Sequence, residues 1–184
     1  FRREARTSDT VRRFFQGDGA VVVPWIEWDL TTSRVLTMEL VEGVRPAPRA
    51  ELAALGFDAD RLLVVGAGAM LHQIFELGLF HADPHPGNLL MLEGNRVAFL
   101  DFGMYGRLEP RERRRMAMVL WALVEGEQEI VADQLLHLAR RRPDADARGF
   151  RAELAELVEQ WRQGEDGSSV ARLLLRELGT GASH

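Results

Sequence analysis

Phe80-His81-Ala82-Asp83-Pro84-His85-Pro86-Gly87-Asn88, then Leu89-Leu90-Met91-Leu92-Glu93-Gly94-Asn95-Arg96-Val97-Ala98-Phe99-Leu100 and Asp101-Phe102-Gly103, is the stretch that decides the fold. Two short apolar runs, 89–92 and 97–100, flank Glu93-Gly94-Asn95-Arg96, which carries the Gly and Asn that tight turns favour. The pattern predicts a hairpin whose ends come together. Asn88 then sits at the mouth of one strand and Asp101 at the mouth of the other. An amide oxygen and a carboxylate converging there make a hard-oxygen site suited to Mg²⁺. Asp83, five positions before Asn88, is placed to hold or deprotonate an incoming nucleophile.

That is the layout of phosphoryl transfer, in which an Asp, an Asn five positions on and the Asp of Asp-Phe-Gly supply a base and two metal ligands. The tripeptide alone is a weak signal. With Asn88 and Asp101 thirteen positions apart and a hairpin between them, the constellation is specific. The competing reading is a polar β-turn followed by a capping Asp, and the two spacings together weigh against it.

The chain has 184 residues and is 46% hydrophobic, enough for one domain with a real core. A net charge of −5 argues against a general nucleic-acid binder. Cysteine is absent, which excludes disulfides and thiol chemistry within these residues. All 23 basic residues are Arg. A kinase places a Lys on the α/β-phosphates, so that Lys is expected upstream of residue 1, or the chain is catalytically incomplete. No Gly-rich phosphate loop is present either. The sequence begins within an element and without Met, so truncation of a longer protein is the expectation. No signal-peptide pattern is visible. The apolar run 62–80 contains His72, Gln73 and Glu76, and makes a poor membrane span.

In chain order, residues 1–15 read as a helix, broken by Gln16-Gly17-Asp18-Gly19. A short strand is expected over 20–23, an edge strand over 25–28 and a turn over 29–33. Residues 34–40 read as a buried strand running into Val41-Glu42-Gly43. In a kinase-like fold this is where the adenine-binding hinge lies, at Glu39, Leu40 and Val41; the plainer reading is a strand that ends at Gly43. Asp58 or Asp60 is expected to cap the next helix. Leu63, Ala67, Met70, Leu71 and Ile74 form one helical face leading to Gly78. His72 reads as a packed or surface histidine.

Beyond Gly103 the chain reads as helical, with Pro110 at an early helix position. Stripes at Met116/Val119/Leu120/Leu123/Val124, Ile130/Val131/Leu135/Leu138, Phe150/Leu154/Leu157/Val158/Trp161 and Val170/Leu173/Leu174/Leu178 read as core. Residues 164–169 read as a linker and 179–184 as a frayed tail. Two Arg runs, at 111–115 and 140–142, read as solvated helix faces, with an anionic-lipid surface as the sharper alternative.

His81-Ala82-Asp83-Pro84-His85-Pro86-Gly87-Asn88 and Asp101-Phe102-Gly103-Met104 resemble the UbiB/AarF family of atypical kinase-like proteins, linked to ubiquinone biosynthesis in bacteria and mitochondria. Phe1-Arg2-Arg3-Glu4-Ala5, Val23-Pro24, Leu30-Thr31-Thr32 and the segment 34–39 resemble it too, so the likeness covers nearly the whole chain. It implies an α+β, protein-kinase-like fold. Residues 1–42 would be the remnant of an N-lobe, with helix, strands and hinge. Residues 43–184 would be the C-lobe. It implies ATP and Mg²⁺ as cofactors. Glu4 resembles the helix Glu that pairs the ATP-binding Lys, and Glu39 to Val41 the adenine hinge. Asp83 resembles the catalytic-loop Asp, and Asn88 and Asp101 the metal ligands. The family's N-terminal signature segment, Ala-rich nucleotide loop and Lys are not in this sequence.

Two departures from ordinary protein kinases bear on substrate. Ala82, not Arg, precedes Asp83, so no guanidinium there reads a phosphorylated activation loop. Only seven residues separate Gly103 from Arg111, with no Ala-Pro-Glu and no room for a peptide-docking segment. The expected function is therefore an ATP-binding, Mg²⁺-dependent atypical kinase or ATPase supporting quinone-lipid synthesis, acting on a small molecule, a lipid or water. The alternatives are an aminoglycoside- or choline-kinase-type phosphotransferase and a non-catalytic nucleotide-sensing scaffold. Pro84 after Asp83 and the full Asp-Phe-Gly favour the first reading. Expected partners are a nucleotide and quinone-pathway proteins or lipid precursors, with no nucleic acid. The expected location is cytoplasmic, with peripheral membrane contact by the full-length protein.

Overall fold

A computed structural model describes residues 1–138 and 146–163. The chain divides into two compact units, Phe1–Arg107 and the residues from Leu108 onward. The expected lobe boundary at 42/43 falls inside the first unit.

The first unit opens with α1 (Arg2–Phe14), which buries Ala5, Thr7, Ser8, Asp9 and Val11. Asp9 sits on that face because Arg12 and Arg13, one turn on, cover its charge at 3.3 and 2.6 Å. Strand β1 (Val21–Val22) follows. The segment 34–40, expected to be a buried strand, is not one. It makes one isolated antiparallel bridge, Met38 to Ile26, and Val35 and Leu40 are exposed. Trp25 and Trp28, on the expected edge strand, are exposed as well. Alternation of apolar residues there does not correspond to a buried face.

Helix α2 (Arg49–Ala54) leads to α3 (Ala59–His72). Of the two capping candidates Asp58 is the cap, its Oδ1 accepting from the amides of Asp60 and Arg61. Asp60 instead forms a two-pronged pair with Arg49, both contacts at 2.7 Å. The helix continues as a π-helical turn, Gln73–Leu77, and stops at Gly78, which takes the left-handed conformation at φ 69°.

The predicted hairpin is present as β3 (Leu89–Leu92) and β4 (Arg96–Phe99), joined by Glu93, Gly94 and Asn95. Gly94 and Asn95 have φ values of 77° and 58°, which is why those residue types stand there. The side chain of Asn95 accepts the Asp58 amide at 2.8 Å and ties the hairpin tip to the start of α3. Strand β1 adds to β4 in parallel, giving the sheet order β1-β4-β3. A second, two-stranded sheet pairs β2 (Leu79–His81) with β5 (Tyr105–Arg107). The core between helices and sheet is built from residues including Val11, Leu62, Leu79, Val97, Phe99 and Phe102.

In the second unit, α4 (Pro110–Glu125) starts at a reciprocal cap between Glu109 and Glu112 and ends at Gly126, φ 80°. With α5 (Gln128–Leu138) and α6 (Ala147–Gln163) it encloses Val119, Ala122, Val131 and Val158. Arg151 of α6 pairs with Glu129 and Asp133 of α5. Leu157 of the third stripe is exposed rather than core. The fourth stripe, the Arg140–Arg142 run, the linker and the tail lie outside the described residues, as does the side chain of Trp161. Among the described residues no helix is long and apolar enough to cross a membrane.

Candidate active site

The site is assembled by the hairpin. The β3/β4 register pairs Leu89 with Phe99, and the Leu100 amide donates to the Asn88 carbonyl at 2.9 Å. Asn88 therefore lies across from Leu100, one residue before Asp101, as the spacing predicted. Asn88 Nδ2 donates to the Asp83 carbonyl at 3.2 Å, so the Asn88 side chain closes the loop that carries Asp83. That assigns Oδ1 of Asn88 as the free acceptor, and among the described residues it has no hydrogen-bond partner.

Two histidines shape the loop that carries Asp83. His81, 1% exposed, accepts the Asp83 amide on Nδ1 at 3.1 Å. Its ring lies 5.1 Å from that of Phe102 and 6.3 Å from that of Phe99. Burial holds its pKa below the ordinary 6.5, against the pull of Asp101 and Asp83. The neutral ring carries its proton on Nε2, which has no partner. His85 accepts the Gly87 amide on Nδ1 at 2.9 Å and turns Nε2 toward Asp83 Oδ2, 3.7 Å away. Above this loop, Gln73, fully buried at 0% exposure, accepts the His81 amide on Oε1 at 3.0 Å. Gln73 was not legible as a site residue. Its one signal is a carboxamide within the apolar run before the loop. His72 is a surface residue paired with Glu76 at 2.6 Å.

Asp101 Oδ1 accepts the Gly103 amide at 2.6 Å. Its carboxyl faces that of Glu4 on α1. A Cβ placed on Gly103 would lie 3.1 Å from Asp101 Oδ1 and 3.7 Å from the Glu4 carboxyl carbon, so glycine leaves room for both acids. Burial, and then the Asp101 carboxylate, raise the Glu4 pKa above its ordinary 4.5. Glu4, Ala82, Gly103, Met104 and Tyr105 line a cleft of about 410 Å³, together with Phe1 and Arg3. Arg3 Nε donates to the Tyr105 hydroxyl at 2.6 Å, with the guanidinium 5.2 Å from the centre of the Tyr105 ring.

The hinge candidates lie apart from that cleft on a segment between two bridges. Glu39 donates its amide to the Trp25 carbonyl at 2.9 Å, and Val44 exchanges both hydrogen bonds with Met91 of β3. Between these, the carbonyl of Glu39 and the backbone groups of Leu40 and Val41 form no hydrogen bond among the described residues. Leu40 is 84% exposed. The Glu39 carboxylate accepts the Trp25 amide at 3.3 Å.

A catalytic-type loop closed by its own Asn, leading through a hairpin to Asp-Phe-Gly, is the frame of a protein-kinase-like α+β fold. The profile of the ABC1 atypical kinase-like domain matches residues 1–135, and the chain belongs to that family. It is 36% identical over 148 residues to the Arabidopsis thaliana chloroplastic protein ACTIVITY OF BC1 COMPLEX KINASE 7, covering 80% of this chain and 21% of the relative. An uncharacterised Synechocystis protein is 34% identical over 160 residues, covering 86% of this chain and 27% of its own. The chain thus spans about a quarter of the length of such relatives. Among solved structures, a Mycobacterium tuberculosis protein in complex with erythromycin matches with a TM-score of 0.60 at 24% identity, over 88% of this chain and 41% of that one. That likeness supports the fold.

Proposed function

We propose that this chain is the catalytic-loop portion of an ATP-binding, Mg²⁺-dependent atypical kinase or ATPase that supports quinone-lipid biosynthesis. The observation that carries the reading is the hairpin register, which sets Asn88 one residue short of opposing Asp101 while its amide nitrogen holds the Asp83 backbone. Asp83 and Asn88 share one short loop and the hairpin returns the chain to Asp101 beside it, an arrangement that supports positioning catalysis.

The donor set fits a magnesium ion. Asn88 Oδ1 is a free neutral oxygen among the described residues, and the Asp101 and Glu4 carboxyls face each other. No group of three or more His, Cys, Asp or Glu converges on a metal position among the described residues. This suits Mg²⁺, which commonly takes one or two protein carboxylates and completes its shell with phosphate oxygens and water. When bound, the ion would offset charge on the phosphates. Asp83 would accept or orient the proton of the attacking hydroxyl or water. Its carboxylate is the free end of a residue whose amide and carbonyl are both held, by His81 and by Asn88 and His85. The Glu39 carbonyl and the Val41 amide would hold the adenine edge.

The acceptor is a small molecule, a lipid or water rather than a protein. Tyr105–Arg107 is committed to pairing with β2, and α4 starts at Pro110, so the segment after Gly103 has no length in which to dock a peptide. Quinone-lipid biosynthesis rests on the family likeness of the motifs.

The test is a thermal-shift titration with Mg·ATP and Mg·ADP on this chain, on a version extended upstream, and on Asp101→Asn in each. A ligand bound to the folded state alone raises the midpoint with RT ln(1 + [L]/Kd). A Mg²⁺-dependent rise in the extended protein, lost in Asp101→Asn, is the expected result. No rise with the upstream Lys restored would exclude the ATP site and leave the scaffold reading.

A further inference from the structure

The cleft beside Asp101 carries a cation that no role above uses. Arg3 and Tyr105 come from opposite ends of the first unit, one on α1 and the other on β5. The Tyr105 hydroxyl accepts Nε of Arg3 at 2.6 Å, and the ring lies under the guanidinium at 5.2 Å. One edge of the planar group is thus fixed by a neutral acceptor. The two terminal nitrogens form no hydrogen bond or ion pair among the described residues, although Glu4 is the adjacent residue and lines the same cleft. Arg3 is the one cationic side chain among the residues lining that cleft.

A guanidinium held by a phenol has a different consequence from one held by a carboxylate. Its charge stays uncompensated, and its terminal N–H groups keep the parallel geometry that matches two oxygens of a phosphate. Met104 and Ala82 line the same cleft.

We propose that Arg3, oriented by Tyr105, forms a phosphate-oxygen subsite in this cleft, reading the polyphosphate of the nucleotide or the phosphoryl group in transfer. The subsite deepens the phosphoryl-transfer reading and rests on it for its biological ligand. Its recognition chemistry is independent of metal. It gives a chain without lysine a fixed cation facing the anion.

Tripolyphosphate is the probe, titrated calorimetrically against this chain first in chelator and then with Mg²⁺. In chelator, Arg3→Ala is expected to bind about tenfold more weakly than the parent, because charge-assisted bonds to an anion are lost. Tyr105→Phe keeps the ring and removes the acceptor, and is expected to weaken binding about threefold. Arg3→Lys restores the charge without the fork and should fall between the parent and Arg3→Ala. No binding by the parent, or equal binding by parent and Arg3→Ala with the anion held elsewhere, overturns the subsite. Asp101→Asn removes a carboxylate beside the cleft, so it is read against its own affinity in chelator, and its Mg²⁺-dependent gain over that baseline is expected to be lost. Loss of that gain upholds the metal site; persistence of the gain in Asp101→Asn overturns the metal assignment while the Arg3 result still decides the subsite.

Discussion

The carboxyl groups of Glu4 and Asp101, from the first turn of α1 and the segment just after β4, face each other across Gly103. Burial, and then the facing Asp101 carboxylate, make Glu4 hold its proton more tightly than an ordinary glutamate. The resemblance to kinases assigns Glu4 to a Lys. Within these residues its neighbour is the acid expected to hold metal.

The pH dependence of stability follows in sign. The folded pKa of Glu4 lies above its ordinary 4.5, so between the two values the folded state binds more protons than the unfolded state. Its favourable contribution is present below 4.5 and is lost as pH rises through the raised folded value. Melting midpoints in metal-free buffer should therefore carry a downward component above pH 4.5 that Glu4→Gln removes. A parallel pH profile for parent and Glu4→Gln would contradict the facing-acid geometry.

Gln73→Leu should cost about 1–3 kcal/mol, because it leaves the buried His81 amide without an acceptor. Chemical denaturation measures this. Gln73→Glu keeps an acceptor and should recover part of the loss if it stays folded with its charge buried. The loop-dependent Mg·ATP response should weaken in Gln73→Leu even at temperatures where the protein remains folded.

Asn88→Asp exchanges the amide donor for an acceptor facing the Asp83 carbonyl. We expect about 1 kcal/mol of lost stability from the missing hydrogen bond. Nucleotide binding in Mg²⁺ should fall as well, since the Asp83 backbone is no longer pinned. Unchanged urea midpoints would argue that the Asn88–Asp83 bond is not formed.

Gly43→Ala tests the packing under the hinge segment. A Cβ there would meet the Met91 carbonyl at 2.9 Å and Leu92 Cδ2 at 2.5 Å. Backbone must yield, at a cost of about 1–3 kcal/mol, readable as a lowered denaturation midpoint. Gly94→Ala, by contrast, meets no neighbouring atom and is penalised through its φ of 77° alone.

The parts of the fold legible in the sequence are those where local chemistry and tertiary structure agree. The hairpin needed Gly94 and Asn95 at positive φ and two apolar strands, and all of these stand in the sequence. Asp58 caps and Gly78 stops α3 for equally local reasons. What escaped is set by distant partners. Strands β2 and β5 are three residues each, too short to show a period, and exist because they pair with each other. Residues 34–40 have the composition of a strand, but their pairing is limited to the bridge at Met38. Gln73 and Arg3 acquire meaning from a histidine amide and a tyrosine hydroxyl that no spacing connects to them.

Strand β1 is only two residues long, yet it lies parallel to β4 with Val21 against Val97 and Val22 against Ala98. It follows α1 after residues 15–20 and is laid beside the strand that ends at Phe99, two residues before Asp101. The two acids therefore belong to one compact unit, in which residues 15–20 join the helix that carries Glu4 to the strand laid against β4. An ion or proton exchanged between them acts on two elements of that unit at once.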